Sequence, residues 1–510
     1  MESRFTRLQY LFQSTKGLIL LAISAISLVT AIWGTLSGPM AEWGVRDITV
    51  SLLGMDLHPI FREGRMIALY HSIAMAVIAI EVYMITSIVP MKKIYQTVVN
   101  ATITVGYLMV LVFGLWFAYF GRDFLVHGLF IAGQTLVFFS GAILAVAVWP
   151  WNKEYYVCDN EYSHTKKGLD LERVAFFSMV VATLGSALFG AAAGAYWTHG
   201  HETFLAENII RDPHHSSIEL AVIGHLHIML ALIAIAITLI VGRWLDFKGI
   251  FHKIAMPLMI IGIIVITLGV WSVVPYEATA HTFIYVGSVF SMSAALMLVI
   301  FGWRKLIKDR LAEQGIEKAN IFQSIAALIH DPIKFGPLWQ MVFMNFTVSG
   351  VGIFLAVKLD AIFRVWPARE ERITLSGHWH ILSAIIATII LMYYIDISGI
   401  KGKARKWLGW LIIIGSDIAF ASMTIFSFKR LIVPEIDQQG LVDTTMLLTD
   451  IGLGLVLILL SIILVWRLID LFRNDGLWQK EAQNPELEVN MTSPSFIAET
   501  ANTVSGQEVK

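Results

Sequence analysis

Five of the 15 histidines in this 510-residue chain sit in three short apolar settings: Leu69-Tyr70-His71-Ser72-Ile73, Gly224-His225-Leu226-His227-Ile228 and Gly377-His378-Trp379-His380-Ile381. An imidazole nitrogen is a strong ligand for iron, copper or zinc, and an ionisable residue inside an apolar stretch is costly unless it has a task. One isolated histidine of this kind reads as a core residue bonded to a helix carbonyl. Five in matched contexts read as ligands. Neighbouring positions of a helix turn by about 100°, so the two histidines of a His-x-His pair point to nearly opposite sides and serve two adjacent sites. That suits haems lying between helices, each iron held axially from both flanks. It suits zinc poorly, since four ligands must then converge.

Composition sets the solvent of these elements. Hydrophobic residues make up 57% of the chain and charged ones 15%, with mean hydropathy +0.70, whereas soluble domains carry about 25% charged residues. The formal net charge of -1 gives no reason to expect a nucleic-acid partner. Cys158 is the lone cysteine, which excludes an intramolecular disulfide, a thiolate zinc site and an iron–sulfur cluster held by this chain alone. Any metal must use histidine, carboxylate or backbone ligands.

A bilayer core about 30 Å thick needs about 20 apolar residues as helix. Twelve stretches qualify: 17–37, 64–90, 97–120, 126–149, 173–197, 218–242, 254–275, 281–303, 339–358, 375–397, 407–428 and 446–468. With the connecting loops alternated, 26 of the 37 Lys and Arg fall on the side of the N-terminus and 11 on the other. The positive-inside rule then places both termini in the cytoplasm. Residues 1–16, polar and basic, read as a retained cytoplasmic segment rather than a removable signal. Residues 17–470 form the membrane domain, and 471–510 read as a flexible cytoplasmic tail.

The chain also repeats itself. Aligning His71, His225 and His378 gives offsets of 154 and 153 residues, and His127 to Gly133 aligns with His281 to Gly287, again 154 apart. Three four-helix units follow. The five histidines lie in the first turns of spans 2, 6 and 10, at one depth near the outer face. If rotation relates these spans, the second histidine of span 6 faces span 10, which sets His227 opposite His378. His225 then points toward span 2, where Ile73 holds the equivalent position, with His127 near a third gap.

These features together resemble the catalytic subunit of the haem-copper oxidase and nitric oxide reductase superfamily, over nearly the whole chain. The fold implied is an all-α integral membrane protein, twelve transmembrane helices in a pseudo-threefold arrangement, subunit I-like. Gly224-His225-Leu226 and Tyr285-Val286-Gly287-Ser288-Val289-Phe290-Ser291 lean toward the nitric oxide reductase large subunit and C-type oxidase branch. The resemblance implies that His71 and His380 hold a low-spin haem and that His378 holds a second one. The chain departs from the family at span 7, where Val270-Trp271-Ser272-Val273-Val274-Pro275-Tyr276-Glu277 lacks the histidine pair for non-haem iron or copper, and at Met229, a Tyr or Glu position in many members.

The expectation is therefore a haem b subunit of a respiratory oxidoreductase in a bacterial or archaeal cytoplasmic (inner) membrane. It passes electrons through bis-histidine haems between a quinol or cytochrome c-type donor and a partner. Two other readings stand beside it: an active nitric oxide or oxygen reductase with a metal site built from His225, His227 and His281, and a twelve-helix secondary transporter. Arg369 and Arg372 either neutralise haem propionates or anchor the chain at the interface. His281 and Glu277 are further candidate ligands or proton carriers, as is His127 for an additional metal or cofactor. Glu81, deeper in span 2, is either a proton relay or a helix-to-helix bond. The histidine-rich outer loop near 198–217 is either a docking or metal site or simply solvated.

Overall fold

The computed structural model describes residues 2–38, 41, 43–58, 62–194 and 217–483. Among them there is no strand, and twelve helices are long and apolar enough to cross a membrane. The protein is an all-helical, multi-pass membrane protein with the lipid bilayer as its surroundings. In chain order the spanning helices are α1 (Thr15–Ser37), α2 (Arg62–Ile88), α3 (Lys93–Tyr119), α4 (Phe124–Ala147), α5 (Leu171–Ala192) and α6 (Ser217–Trp244). The second half comprises α7 (Gly249–Trp271), α8 (Glu277–Glu313), α9 (Pro332–Phe343, continued through a π-turn to Val351–Lys358), α10 (Ala368–Ile397), α11 (Gly402–Ser427) and α12 (Gln438–Phe472).

Local chemistry sets many of the starts. Asp123 and Asp170 cap α4 and α5 by accepting from Val126 N and Glu172 N, and Asp331 caps α9 just before Pro332 at its first position. Helix α8 outruns its expected apolar window at both ends. In α8 the extension beyond 303 carries its own ion pairs, Lys305–Asp309 at 3.5 Å and Arg310–Glu313 at 2.9 Å, which keep a solvated helix end wound.

The repeat has a backbone counterpart. Helices α3 and α4, α7 and α8, and α11 and α12 pack as close pairs, and each pair crosses glycine on glycine. A Cβ added at Gly106 would lie 3.1 Å from Gly133 O, at Gly262 3.0 Å from Gly287 O, and at Gly415 2.9 Å from Gly452 O. Small residues at such crossings let helix backbones approach in lipid, where packing rather than water exclusion joins helices. The third copy was hidden in the sequence, because Met446 stands six residues before Gly452 where the other units have His127 and His281. Gly452→Ala is expected to destabilise the protein by about 1–3 kcal/mol. Its methyl would meet Gly415 O at 2.5 Å and Ala419 N at 2.8 Å, both backbone. Gly454→Ala, facing open space, should leave the thermal midpoint in detergent unlowered; equal midpoints for the two variants would remove the crossing from the account.

The first part of the tail expected from residue 471 is folded. Leu477–Gln483 forms a helix, and Trp478 is completely buried. Asp470 accepts from Leu477 N at 2.8 Å and from Trp478 N at 3.2 Å, so the chain turns back onto the membrane domain. There Arg467, 1% exposed, pairs with Glu481 at 2.8 Å and hydrogen-bonds Tyr10, while Lys16 reaches Glu481 at 3.4 Å. The first and last helices are thus latched together. The remainder of the expected tail, 484–510, lies outside the described residues, as does the loop 195–216.

Candidate functional site

Helix α2 packs on α6, and α6 on α10; the histidines lie within about three turns of the N-terminal ends of all three. Three of them are fixed in the same way. Nδ1 of His71 lies 2.8 Å from Ile67 O, Nδ1 of His227 2.8 Å from Ile223 O, and Nδ1 of His380 2.9 Å from Ser376 O. Each partner is the carbonyl four residues earlier. Only an N–H can donate to a carbonyl, so this bond puts the proton on Nδ1 and leaves the Nε2 lone pair for another partner. His225 uses a neighbouring helix instead, with Nδ1 3.1 Å from Ser186 O of α5. Gly190 makes room for it: a Cβ there would lie 2.2 Å from the His225 ring. His378 is buried, and among the described residues its Nδ1 has no hydrogen-bond partner.

The ring contacts define the pairs. His227 and His378 have centres 6.2 Å apart with planes inclined by 35°. His71 and His225 are 6.5 Å apart and nearly parallel, at 17°. A metal held between two imidazole nitrogens at about 2 Å each would set the ring centres about 6 Å apart. The expectation of His227 opposite His378 corresponds to a contact in the structure. The expected pairing of His71 with His380 does not: Tyr70, one position and about 100° away round α2, reaches His380 with its hydroxyl 3.4 Å from Nε2, while the His71 ring turns to His225.

All five histidines line one cavity of about 1980 Å³, well above the roughly 300–1,000 Å³ of a pocket for one drug-sized ligand. Its walls are mainly apolar and also include Ser27 of α1, Ser416 of α11 and Leu457 of α12, His281 and Glu277 of α8 with Gly352 of α9, and His127 and Gln134 of α4 with Thr183 of α5. Gly352 follows the π-turn of α9, and a Cβ on it would touch the His378 ring at 3.5 Å. His281 stacks on Tyr285, and His127 meets Phe117, with centres 6.2 and 5.5 Å apart. Glu81, 4% exposed, also lines the cavity, and its Oε1 has no hydrogen-bond partner.

A cationic group at the rim escaped sequence reasoning. Arg364 lines the cavity from the turn that ends the π-helical segment Leu359–Phe363; that segment lacks any periodicity that would have singled it out. The side chains of Arg369 and Arg372 lie outside the described residues. Among the described residues, no three His, Cys, Asp or Glu side chains group closely enough to cage a bare metal ion. Paired imidazoles, mainly apolar walls and a guanidinium in the lining can hold a planar macrocycle with iron at its centre and carboxylates at its edge. Two histidine ligands on one iron leave no coordination position for a substrate. No family model, no curated protein and no solved structure matches this chain.

Proposed function

We propose that this protein is a haem b-binding membrane subunit of a respiratory oxidoreductase, a divergent relative of the haem-copper oxidase and nitric oxide reductase superfamily that transfers electrons. The reading is carried by His227 and His378, which face one another across 6.2 Å at a cavity of about 1980 Å³. These two would hold one haem. His380 from α10 would hold the second together with His71 from α2, whose ring must turn from its contact with His225 to do so. Bound haem would supply one-electron chemistry at each site.

The chain's own part is to fix the ligands, exclude water and compensate charge. The bonds from Nδ1 to Ile223 O and Ile67 O orient the rings and raise their basicity. Arg364 neutralises propionates at the rim. The three glycine crossings support three four-helix units about a pseudo-threefold axis. The excess of Lys and Arg on one side supports cytoplasmic termini in a bacterial or archaeal inner membrane, with the haems near the outer face, in reach of a cytochrome c-type subunit or a quinol.

Haem extraction from the purified protein as its pyridine complex, combined with spin-state spectroscopy, tests this. Two haems b per chain with low-spin, bis-histidine signatures in the oxidised protein are expected; protein free of haem overturns the reading.

A further inference from the structure

The indole of Trp379 stands between the two histidines of α10 in sequence and against a third histidine in space. Its Nε1–H donates to Nε2 of His227 at 3.1 Å, and the two rings meet edge to face, 4.8 Å apart at 88°. Since Nδ1 of His227 already donates to Ile223 O at 2.8 Å, both nitrogens of this imidazole are engaged. His380 differs: the group near its Nε2 is the Tyr70 hydroxyl, at a longer 3.4 Å.

A neutral imidazole has one in-plane lone pair. It can accept the indole proton or bind a metal, but not both. We propose that Trp379 is a positioning residue that competes for the Nε2 lone pair of His227, making His227 a detachable axial ligand while His378 stays bound. This rests on the haem reading above and goes beyond it, since it gives the two haems unequal behaviour. The competitor is built into the site. Trp379 also packs on the His378 ring, with centres 5.5 Å apart, so the indole remains beside the iron position whichever partner His227 holds. No bond to carbon changes and no proton is lost: the indole N–H is released to the apolar cavity when His227 binds iron and recaptures Nε2 when it leaves.

Carbon monoxide is the probe, because it binds ferrous haem only where an axial position opens. The dithionite-reduced full-length protein should form a carbon monoxide adduct at one of its two haems. Trp379→Phe keeps a ring in place but removes the donor, and should weaken that adduct about tenfold, the effect of one hydrogen bond; Trp379→Leu should do the same. His227→Ala supplies the detached limit, and the unaltered protein should bind within about a hundredfold of it. Three results overturn the proposal: no adduct in the unaltered protein, an unchanged adduct in a tryptophan variant that retains two haems, or affinity more than a hundredfold below that of His227→Ala. The last measurement needs no tryptophan variant to fold. Purified protein without haem would instead defeat the reading on which this rests, so the two failures are distinguishable by haem count.

Discussion

On the proposed function, His380→Ala is expected to leave purified protein with one haem in place of two, halving the amplitude of the haem absorption bands per chain, whereas His225→Ala should leave both. The two variants divide the alternatives open to His71. Its ring touches that of His225 at 6.5 Å, and its sequence neighbour Tyr70 meets His380. Both histidines therefore lie within reach of the same stretch of α2. Three considerations select His380. Its Nδ1 is bonded to Ser376 O, which leaves the Nε2 lone pair, near the Tyr70 hydroxyl, for a metal. Helix α1 packs on both α2 and α10, and α11 on α10, and small or apolar groups of these helices and of α12, Ser27, Ser416 and Leu457, line the cavity. His225, by contrast, is tied across to Ser186 of α5 and closely flanked by Gly190. Haem loss confined to His225→Ala would move the second haem to the gap between α2 and α6. Losing one axial ligand from a non-covalently held haem removes much of what fixes it, and loss of one partner at a metal centre commonly costs 10–100-fold in affinity or more.

Arg467→Ala is expected to destabilise the protein by about 3 kcal/mol, because it leaves Glu481, beside Tyr10 in a buried setting, with only the longer contact to Lys16 at 3.4 Å. Arg467 is 1% exposed, and its guanidinium is shared between Glu481 and Tyr10, with Asp470 3.5 Å away. Glu481→Gln in the same chain should restore part of the loss, since it removes the poorly compensated charge while Asp470 keeps its bonds to Leu477 N and Trp478 N. Thermal unfolding in detergent measures both, and limited proteolysis near residue 475 reports release of the terminal helix. A loss below about 1 kcal/mol, typical of an exposed pair, would show that the latch contributes little.

The twelve spans were legible because a long apolar run has few alternatives in water or lipid, and the repeat was legible because histidines recur at matched spacing in otherwise apolar spans. The remainder depended on contacts that sequence does not encode locally. Which side of α2 faces α10 is a matter of helix rotation, so Tyr70 rather than His71 meets His380. Arg364 lies on a π-turn, where helical periodicity fails. The third glycine crossing, Gly415 with Gly452, was masked by Met446 and by the longer spacing before α12. Trp478 sits in a polar stretch that resembles a solvated tail until the buried pairing of Arg467 with Glu481 is seen.

The latch also sets a clock on biosynthesis. Lys16 and Glu481 are separated by 465 residues, so their contact cannot form until almost the whole chain has been made. At about 5–20 residues per second, α1 waits roughly half a minute to a minute and a half for α12 and the helix that follows it. Through that interval α1 lacks the partner that fastens it, and the Arg467, Glu481 and Tyr10 cluster exists only once the chain is nearly complete.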